Sequence, residues 1–462
     1  MARITPIFLT LANAIERQIH DGAYKPGDKL PSLREIARLR GYGKNTVVTA
    51  FESLVARGLV EPKRGAGYFV KEPAIEPERA DDDSGSLGRA MDIVWLLRNQ
   101  LHVAPGHLSV GDAFPPAEWL QGARLDRVHH KVARGGLGTL FRYGDRRGYA
   151  PLRQRLARKL ADIGIDAQPR QIVLTHGANQ AIDFIVRYFV PPGAPVLVDD
   201  PGYYPLFGKL KLAGAHIVGV PRRADGPDPV ALEALLQRWR PRLFFTQSLG
   251  HNPTGSDITA ARARQVLALA ERFDLRIVEN DALCDLHPAA APRISALDQL
   301  ERTLYVGSFS KSLSAALRVG FVACSPDLAS DLADLKVLVN TSSSEYSERT
   351  VDTLLGERAH PRHLERLRGR VADASLRGRA LLRSFGAEVF ADTPQSLFLW
   401  ARLPGVADSL ATAQTLMAQD VVMAPGRIFC VDAAAPSPWS RYNVHAVLDT
   451  RFTAAMRTVL GG

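Results

Sequence analysis

Three segments within the first 70 residues carry apolar side chains at every third or fourth position, a spacing typical of short amphipathic helices. A first helix is predicted over about residues 6–20. Its apolar face is formed by Phe8, Leu11, Ile15 and Ile19. Ser32 and Glu35 have the spacing of a capping box, in which hydroxyl and carboxylate each accept a hydrogen bond from a free backbone N–H at a helix start. A second helix is therefore predicted to begin at about Leu33.

A third helix and a hairpin complete the N-terminal pattern. The helix is predicted from Asn45 or Thr46 to about Arg57, with Gly58 ending it as a left-handed cap. Its predicted buried residues are Val48, Phe51 and Leu54 or Val55. Residues 59–70 then predict a two-stranded hairpin with a basic tip. Two helices joined by a short glycine turn and followed by a hairpin predict a winged helix-turn-helix.

From about residue 90 onward, short apolar runs alternate with helical patterns. Candidate strands lie at residues 171–175, 196–199, 217–220, 243–246, 275–278, 304–308 and 319–323. A segment such as 260–273 has the spacing of a helix. This alternation is typical of a parallel sheet that is covered on both faces. The predicted fold class is therefore α/β, with a mostly parallel sheet and a smaller C-terminal subdomain.

A change in composition separates the two patterns. Residues 72–90 contain two prolines and six acidic residues and few apolar ones, which is typical of a linker. The predicted domains are a winged helix at residues 1–71, an acidic linker at 72–90 and a large domain at 91–462.

Composition and charge narrow the class of protein. The chain has 462 residues, 46% hydrophobic and 23% charged, which favours a globular protein over a disordered chain. Half of the net charge of +10 lies in residues 1–70, where eleven lysines and arginines stand against six acids. That local excess suggests a polyanionic partner for the N-terminal module.

Cysteine content and hydropathy indicate the cellular compartment in which the protein is expected. Three cysteines without a C-x-x-C pair argue against a disulfide framework or a metal site and favour a reducing cytoplasm. No apolar run reaches eighteen residues, so no membrane-spanning helix is predicted. Residues 1–14 also resemble a signal peptide, with one arginine, a short apolar run and Ala-x-Ala. The helical spacing continues past the candidate cleavage site and favours the helix.

The winged helix-turn-helix predicts contacts to double-stranded DNA. The first turn of the third helix would enter the major groove, where the Asn45 amide suits adenine and the Lys44 charge suits phosphate. Arg34 and Arg64 would contact backbone phosphates. The candidate DNA-binding residues are Ser32, Arg34, Lys44, Asn45, Thr46, Arg64, Gly65 and Gly67. The alternative is a three-helix module with solvated charges.

Residues 22–70 resemble the GntR-type DNA-binding domain over almost their whole length. The elements Pro-Gly-Asp, Leu-Pro-Ser-x-Arg-Glu, Asn-Thr-Val and Gly-Leu-Val occur in that order, before a wing that ends in Gly-Tyr-Phe-Val. The family usually has Ser-Arg where this chain has Gly43-Lys44. Lysine keeps the charge but lacks the planar fork of arginine, so the preferred DNA site is expected to differ.

Lys311 is the centre of the candidate chemistry in the large domain. It follows a predicted strand and is flanked by the hydroxyls of Ser308 and Ser310, with Arg318 seven residues further on. Such a lysine can form a Schiff base with a carbonyl cofactor. The two serines and the arginine would hold a phosphate by charge-assisted hydrogen bonds. The alternative is a surface lysine after a strand.

Other candidate loops follow further predicted strands, at the edge where open α/β sheets bind ligands. Backbone N–H groups of Gly177, Ala178 and Asn179 at a helix start would form an anion site. Tyr203 would place a ring over a flat cofactor, and the Asn252 amide would bond a ring hydroxyl. Asn280 and Asp281 end the next strand.

Taken together, residues 110–445 resemble the fold-type I aminotransferases, which use pyridoxal phosphate. The ordered set consists of FRYGDRRGYAPLR at 141–153, HNPTG at 251–255, SFSKSLSAALRVG at 308–320 and APGRIF at 424–429. The resemblance implies that Arg441 binds a substrate carboxylate, with a surface arginine as the alternative. It also implies a homodimer, in which Tyr143 reaches the partner's site.

One segment departs from this family. The aminotransferases usually have Glu-Asp-Asp-x-Tyr, in which the first aspartate pairs with the pyridine nitrogen and the tyrosine bonds the ring hydroxyl. In direct register, Asn280 replaces that aspartate and Leu283 replaces the tyrosine. A neutral amide cannot keep the pyridinium protonated by charge. Unless Asp281 takes the role, carbanion stabilisation is expected to be weak.

A GntR-like module joined to an aminotransferase-like domain resembles the MocR group of bacterial transcription regulators, which are head-to-tail dimers. The resemblance implies a cytoplasmic regulator that binds pyridoxal phosphate through Lys311 and senses an amino-acid-like effector by external aldimine formation. Two alternatives remain. One is an active aminotransferase with an accessory DNA-binding module, and the other is a regulator whose large domain is only a dimerisation scaffold.

Overall fold

The structure is a computed structural model that describes residues 7–20, 23–25, 27–63, 66–71, 106–134 and 141–461. The chain divides into two compact units, at residues 1–83 and 84–462. The whole predicted linker at residues 72–90, together with the predicted wing residues Arg64 and Gly65, lies outside the described residues. No helix of the described part is both long and apolar enough to cross a membrane.

Three helices and a hairpin form the N-terminal unit, as predicted. They are α1 (Ile7–His20), α2 (Leu33–Arg40), α3 (Lys44–Ala56), β1 (Val60–Lys63) and β2 (Gly67–Val70). The capping box is present: the Glu35 carboxylate accepts from the Ser32 N–H at 2.8 Å, and Ser32 Oγ accepts from the Glu35 N–H at 3.3 Å. The two strands pair antiparallel, with Val60 opposite Val70.

The predicted buried face of α3 was partly wrong. The buried residues are Val47, Ala50, Phe51 and Leu54, whereas Val48 and Val55 are only partly buried. The helix packs against both α1 and α2, and the small Ala50 side chain belongs to the packed face. An apolarity pattern gives alanine little weight, which shifted the predicted stripe by one position.

The large unit is built on an eight-stranded sheet that contains all seven predicted strands. In chain order these strands are β4 (Ile172–Thr175), β5 (Pro195–Asp200), β6 (His216–Arg223), β7 (Gly226–Pro227), β8 (Leu243–Thr246), β9 (Arg276–Asp281), β10 (Thr303–Ser308) and β11 (Gly320–Ala323). Their order in the sheet is β4-β11-β10-β9-β8-β5-β6-β7. The five strands from β10 to β6 are parallel to one another, while β11 and β7 run antiparallel to their neighbours.

Helices cover both faces of this sheet. In the described part of the large unit the helices are α4 (Ala117–Leu120), α5 (Leu125–Arg134), α6 (Ala150–Asp162), α7 (Ala178–Phe189), α8 (Tyr204–Leu212), α9 (Pro229–Trp239), α10 (Ala260–Arg272), α11 (Ile294–Asp298), α12 (Pro326–Asn340), α13 (Glu345–Gly356), α14 (His360–Ser384), α15 (Ser409–Met417) and α16 (Thr450–Gly461). Successive residues of β10 belong to opposite cores: Val306 packs with Phe184, and Tyr305 packs with Leu156. This alternation confirms the predicted two-sided burial.

A second, antiparallel sheet forms a smaller C-terminal part, as predicted. It has the order β12 (Glu388–Val389), β13 (Phe398–Arg402), β16 (Trp439–Asn443), β15 (Ala424–Pro425). A short parallel pair, β3 (Leu108–Ser109) with β14 (Val421–Val422), brings the start of the large unit to this part of the molecule. The carboxyl end of β3 is thereby placed next to Arg441 of β16.

Candidate cofactor and ligand site

Lys311 lies three residues after the end of β10, at the edge of the sheet where parallel strands end. Its Nζ lies 2.9 Å from the centre of the Phe114 ring. Burial lowers the pKa of Lys311 to about 7, while the nearby Asp112 carboxylate acts in the opposite direction. A lysine with this pKa is largely neutral just above neutral pH and can therefore act as a nucleophile.

A buried network holds the loop that carries Lys311. Ser312 donates a hydrogen bond to Asp285 Oδ2 at 2.5 Å, and Asp285 also pairs with Lys159 of α6. The Ser312 carbonyl accepts from His363 Nε2 of α14 at 2.6 Å. Sequence reasoning missed these residues, because their sequence positions are far apart and only the fold brings them behind the lysine.

A candidate phosphate cradle lies beside this loop. Gly177 precedes α7 with a φ of 75°, and Ala178 and Asn179 form the first turn of that helix. Arg318 donates from Nη2 to the His176 carbonyl at 3.0 Å, and a Cβ on Gly177 would lie only 3.0 Å from the same nitrogen. Glycine therefore leaves room for the guanidinium next to the helix N-terminus, where backbone N–H groups favour an anion.

The two serines of the lysine loop face the same region. Ser308 Oγ donates to Ser310 Oγ at 3.2 Å, and both residues are buried. Ser308 pairs with Gly320 of β11, where a Cβ would lie 2.5 Å from the backbone of Gly177. The structure thus brings together the predicted phosphate-binding residues from three separate segments.

A narrow cavity opens between the ends of β5, β8 and β9. Its lining includes Tyr203, Gln247, His251, Asn280 and Asp199. Asn280 Oδ1 and Asp199 Oδ1 are buried and have no hydrogen-bond partner among the described residues. Because buried polar atoms are normally satisfied, these two oxygens fit a polar ligand in the cavity. The cavity has a volume of about 20 Å³, so it holds no more than a water-sized group. A protonated ring nitrogen such as that of pyridoxal phosphate would have to donate to Asn280 Oδ1 from its edge.

Asp199 is the carboxylate of this cavity, and sequence reasoning missed it. Its Oδ2 accepts from Thr246 Oγ1 at 2.8 Å and lies 3.3 Å from both Arg222 and His251. Burial would raise the pKa of Asp199, yet Arg222 and His251 hold it below its usual value. Burial lowers the pKa of His251 to about 4. The cavity therefore contains a charged carboxylate on β5, two strands away from the neutral Asn280 on β9.

Asp281 was predicted as a cofactor-binding residue, but the structure does not bring it to this cavity. Successive residues of a strand point to opposite faces, so Asp281 points away when Asn280 points in. Its Oδ2 accepts from Arg293 Nε at 2.7 Å and from the Tyr305 hydroxyl at 2.9 Å. Both partners are buried, so Asp281 has a structural ion pair and does not replace the missing aspartate.

Arg441 is fully buried on the opposite side of the site. It donates from Nη1 to Asn252 Oδ1 at 2.8 Å and from Nη2 to the Gly111 carbonyl at 2.5 Å. Its Nε is buried without a hydrogen-bond partner among the described residues. Asn252 and Arg441, which were predicted as separate site residues, thus lie in contact, and the burial of Arg441 argues against a surface arginine. Tyr143, by contrast, is 82% exposed and lies outside this group of side chains.

The candidate DNA-binding residues are grouped at the ends of α2 and α3. Lys44, Asn45 and Thr46 form the first turn of α3, and the first two are exposed. Ser32 caps α2, and Arg34 is exposed in its first turn. Gly67 begins β2 with a φ of 107°, a conformation that favours glycine.

Comparisons with known proteins cover both units. The family described as aminotransferase class I and II matches residues 108–455, and the family of bacterial regulatory proteins, gntR family, matches residues 9–70. The uncharacterized HTH-type transcriptional regulator YdcR of Escherichia coli is 28% identical, over 94% of this chain and 93% of its own length. The probable rhizopine catabolism regulatory protein MocR of Rhizobium meliloti is 29% identical, over 79% and 74%.

A solved structure is similar to the large unit. It is that of LysN, the alpha-aminoadipate aminotransferase of Thermus thermophilus, complexed with N-(5'-phosphopyridoxyl)-L-leucine. The TM-score is 0.70 at 26% identity, over 79% of this chain and 95% of that chain.

The lowered pKa of Lys311 predicts how the protein reacts with pyridoxal phosphate. The neutral amine is the nucleophile, so the initial rate of adduct formation should rise with pH and reach half of its maximum at about pH 7. The rate is measured from the absorbance band near roughly 420 nm that such adducts show. In Asp112→Asn the midpoint should move to lower pH, because that carboxylate favours the ammonium form. Lys311→Ala should give no band, and a wild-type midpoint near pH 10 would contradict the buried amine.

Proposed function

Since the chain belongs to the aminotransferase class I and II family and joins that domain to a gntR-type module in the MocR arrangement, we propose that it regulates transcription by sensing an amino-acid-like ligand. In this proposal the large domain binds pyridoxal phosphate through Lys311. The winged module binds operator DNA, and the protein acts as a cytoplasmic head-to-tail homodimer. The exposed Tyr143 is available to reach the partner's site.

One observation carries the proposal of a cofactor site. The nucleophilic Lys311, the anion cradle at Gly177 and Arg318, and the cavity with unpartnered oxygens all lie at the same edge of the sheet. Pyridoxal phosphate supplies an aldehyde that condenses with amines and a ring that withdraws electrons. Its phosphate would lie at the N-terminus of α7 with Arg318, Ser308 and Ser310. Tyr203 and Asn252 would contact its ring, as the family resemblance implies.

Sensing is favoured over turnover because the site lacks the carboxylate that would strengthen electron withdrawal by the cofactor ring. Asn280 places an amide where the related enzymes have a carboxylate, and Asp281 is engaged with Arg293 on the other face. An amino-acid ligand could still displace Lys311 from the cofactor while Arg441 binds its carboxylate by paired hydrogen bonds. Covalent capture of a ligand followed by slow chemistry is suited to a switch.

Catalytically active transamination is the second candidate function. The observation in its favour is Asp199, a charged carboxylate in the same cavity that is hydrogen-bonded to Thr246 and paired with Arg222. If its charge acts on the cofactor ring through the neighbouring His251, it partly replaces the missing aspartate.

The regulator proposal predicts that DNA binding and cofactor binding are lost separately. The DNA probes are duplexes selected from a random pool by the wild-type protein. Asn45→Ala should weaken binding to them by about tenfold or more, because an asparagine contact to adenine is lost. Lys44→Ala should weaken binding to all sequences and lower the salt dependence by about one phosphate contact. Both variants should keep the cofactor band.

Lys311→Ala, the matched control, should lose the band and still bind DNA. Full DNA affinity in the Asn45 and Lys44 variants would contradict the proposed recognition helix.

The sensing proposal also predicts little turnover. Wild-type protein with pyridoxal phosphate, a common amino donor and a 2-oxo acid should give no sustained multi-turnover transamination. Asn280→Asp should increase the rate at which one bound amino acid is converted, because a carboxylate in the cavity would stabilise the protonated ring. Asn280→Ser serves as the control and should give no increase, since it changes the same side chain without adding a carboxylate. Steady turnover by the wild type would favour the aminotransferase alternative.

A further inference from the structure

A second ligand-recognition group lies on the short segment that follows β3. Asp112 is partly buried and stands between Gly111, whose carbonyl accepts from Arg441 Nη2 at 2.5 Å, and the Phe114 ring, which lies 2.9 Å from Lys311 Nζ. Both Lys311 and Arg441 lie near enough to act electrostatically on its carboxylate. None of the sequence motifs pointed to this residue.

The backbone on either side of Asp112 is held firmly. Asn443 Nδ2 donates to the Phe114 carbonyl at 2.8 Å and to the Asp112 carbonyl at 3.4 Å. The Gly111 N–H donates to the Val422 carbonyl at 3.0 Å, and a Cβ on Gly111 would lie 2.5 Å from the backbone of Ala424. The backbone of this segment is thus fixed against β14, β15 and β16, next to Arg441.

The carboxylate itself has few partners. Its Oδ1 accepts from the N–H of the adjacent Ala113 at 2.5 Å, the Phe114 N–H gives a second hydrogen bond, and among the described residues no lysine, arginine or histidine forms an ion pair with it. Burial raises the pKa of Asp112, and the Ala113 N–H, the charges of Lys311 and Arg441, and the Phe114 N–H act against that rise. Its negative charge is therefore supported by two backbone N–H groups and by cations that lie near it without an ion pair.

Neither side chain offers Asp112 a free positive charge once the proposed ligand is bound. Burial leaves the Lys311 amine, with a pKa of about 7, largely neutral just above that pH, and the Arg441 charge is neutralised by the ligand carboxylate. Asp112 would then be a partly buried carboxylate without a nearby positive charge, which is unfavourable. A second ammonium group on the ligand restores the balance, whereas a second carboxylate adds repulsion.

We propose that Asp112 is a specificity-determining residue and that the ligand is an amino acid with one carboxylate and a second, cationic amino group. This inference rests on the proposed function, in that it assigns the ligand class of the same site. Diamino acids such as ornithine and lysine carry that combination of charges. Dicarboxylic amino acids are expected to be excluded.

The test compares ligands that place an ammonium, a methyl or a carboxyl group at the same chain position: L-ornithine, L-norleucine and L-2-aminoadipate. L-lysine is compared in the same way with L-2-aminoheptanoate. Affinities are measured on the full chain by calorimetry, with and without pyridoxal phosphate, and in parallel from the shift of the cofactor band. Ornithine or lysine should bind about tenfold or more tightly than its methyl counterpart, and aminoadipate should bind most weakly.

Asp112→Asn should reduce the preference for the cationic ligand to less than about threefold, since the charge is lost while the shape is kept. The control, Asp126→Asn on α5, removes a carboxylate that is 71% exposed and should leave the preference unchanged.

Equal affinities for ornithine and norleucine, with the cofactor band present and shifting, would overturn the inference and leave the proposed function intact. A preference that depends on Asp112 in protein that forms no cofactor band would support the inference and overturn the cofactor proposal. Binding of no ligand in either form would overturn both.

Discussion

The desolvation of one lysine is the constraint on which the candidate site depends. Burial holds the pKa of Lys311 at about 7, and an amine in that state can react with a carbonyl group near neutral pH. The fold must hold the loop that carries Lys311 without a strong ion pair to the amine, because such a pair would raise the pKa of Lys311. The loop is held through the next residue instead: Ser312 contacts the buried Lys159–Asp285 pair and His363.

Strand geometry explains how the chemistry of the site has changed while its frame remains. At the end of β9, side chains alternate between the two faces of the sheet, so Asn280 faces the cavity and Asp281 faces Arg293. The carboxylate common in related enzymes is thus absent from that position. The anion cradle and Arg441 are retained, because they come from other segments at the same edge. In the proposed function, such a site holds a cofactor and a carboxylate ligand but supports electron withdrawal by the cofactor ring less strongly.

Much of this could be predicted from the sequence, and the remainder depends on tertiary contacts. The strands, the capping box at Ser32 and the wing are set by local patterns of apolarity and hydrogen bonding. The direction in which Asp281 points depends on register, and the role of Asp112 depends on a β3–β14 pairing across more than 300 residues of chain. Asp199 and Asp285 also carry no local signal, because a carboxylate at a strand end becomes notable only once its buried partners are known.

The central claim is that ligand capture in the large domain changes DNA binding by the winged module. The most direct measurement is a titration of the full chain, loaded with pyridoxal phosphate, with ornithine and other amino acids. The cofactor absorbance and the affinity for a selected DNA duplex are followed in the same samples. Binding at two coupled sites must be reciprocal, so the spectral change and a change in DNA affinity of about fivefold or more should share one midpoint. A complete spectral change with unaltered DNA affinity would contradict the account.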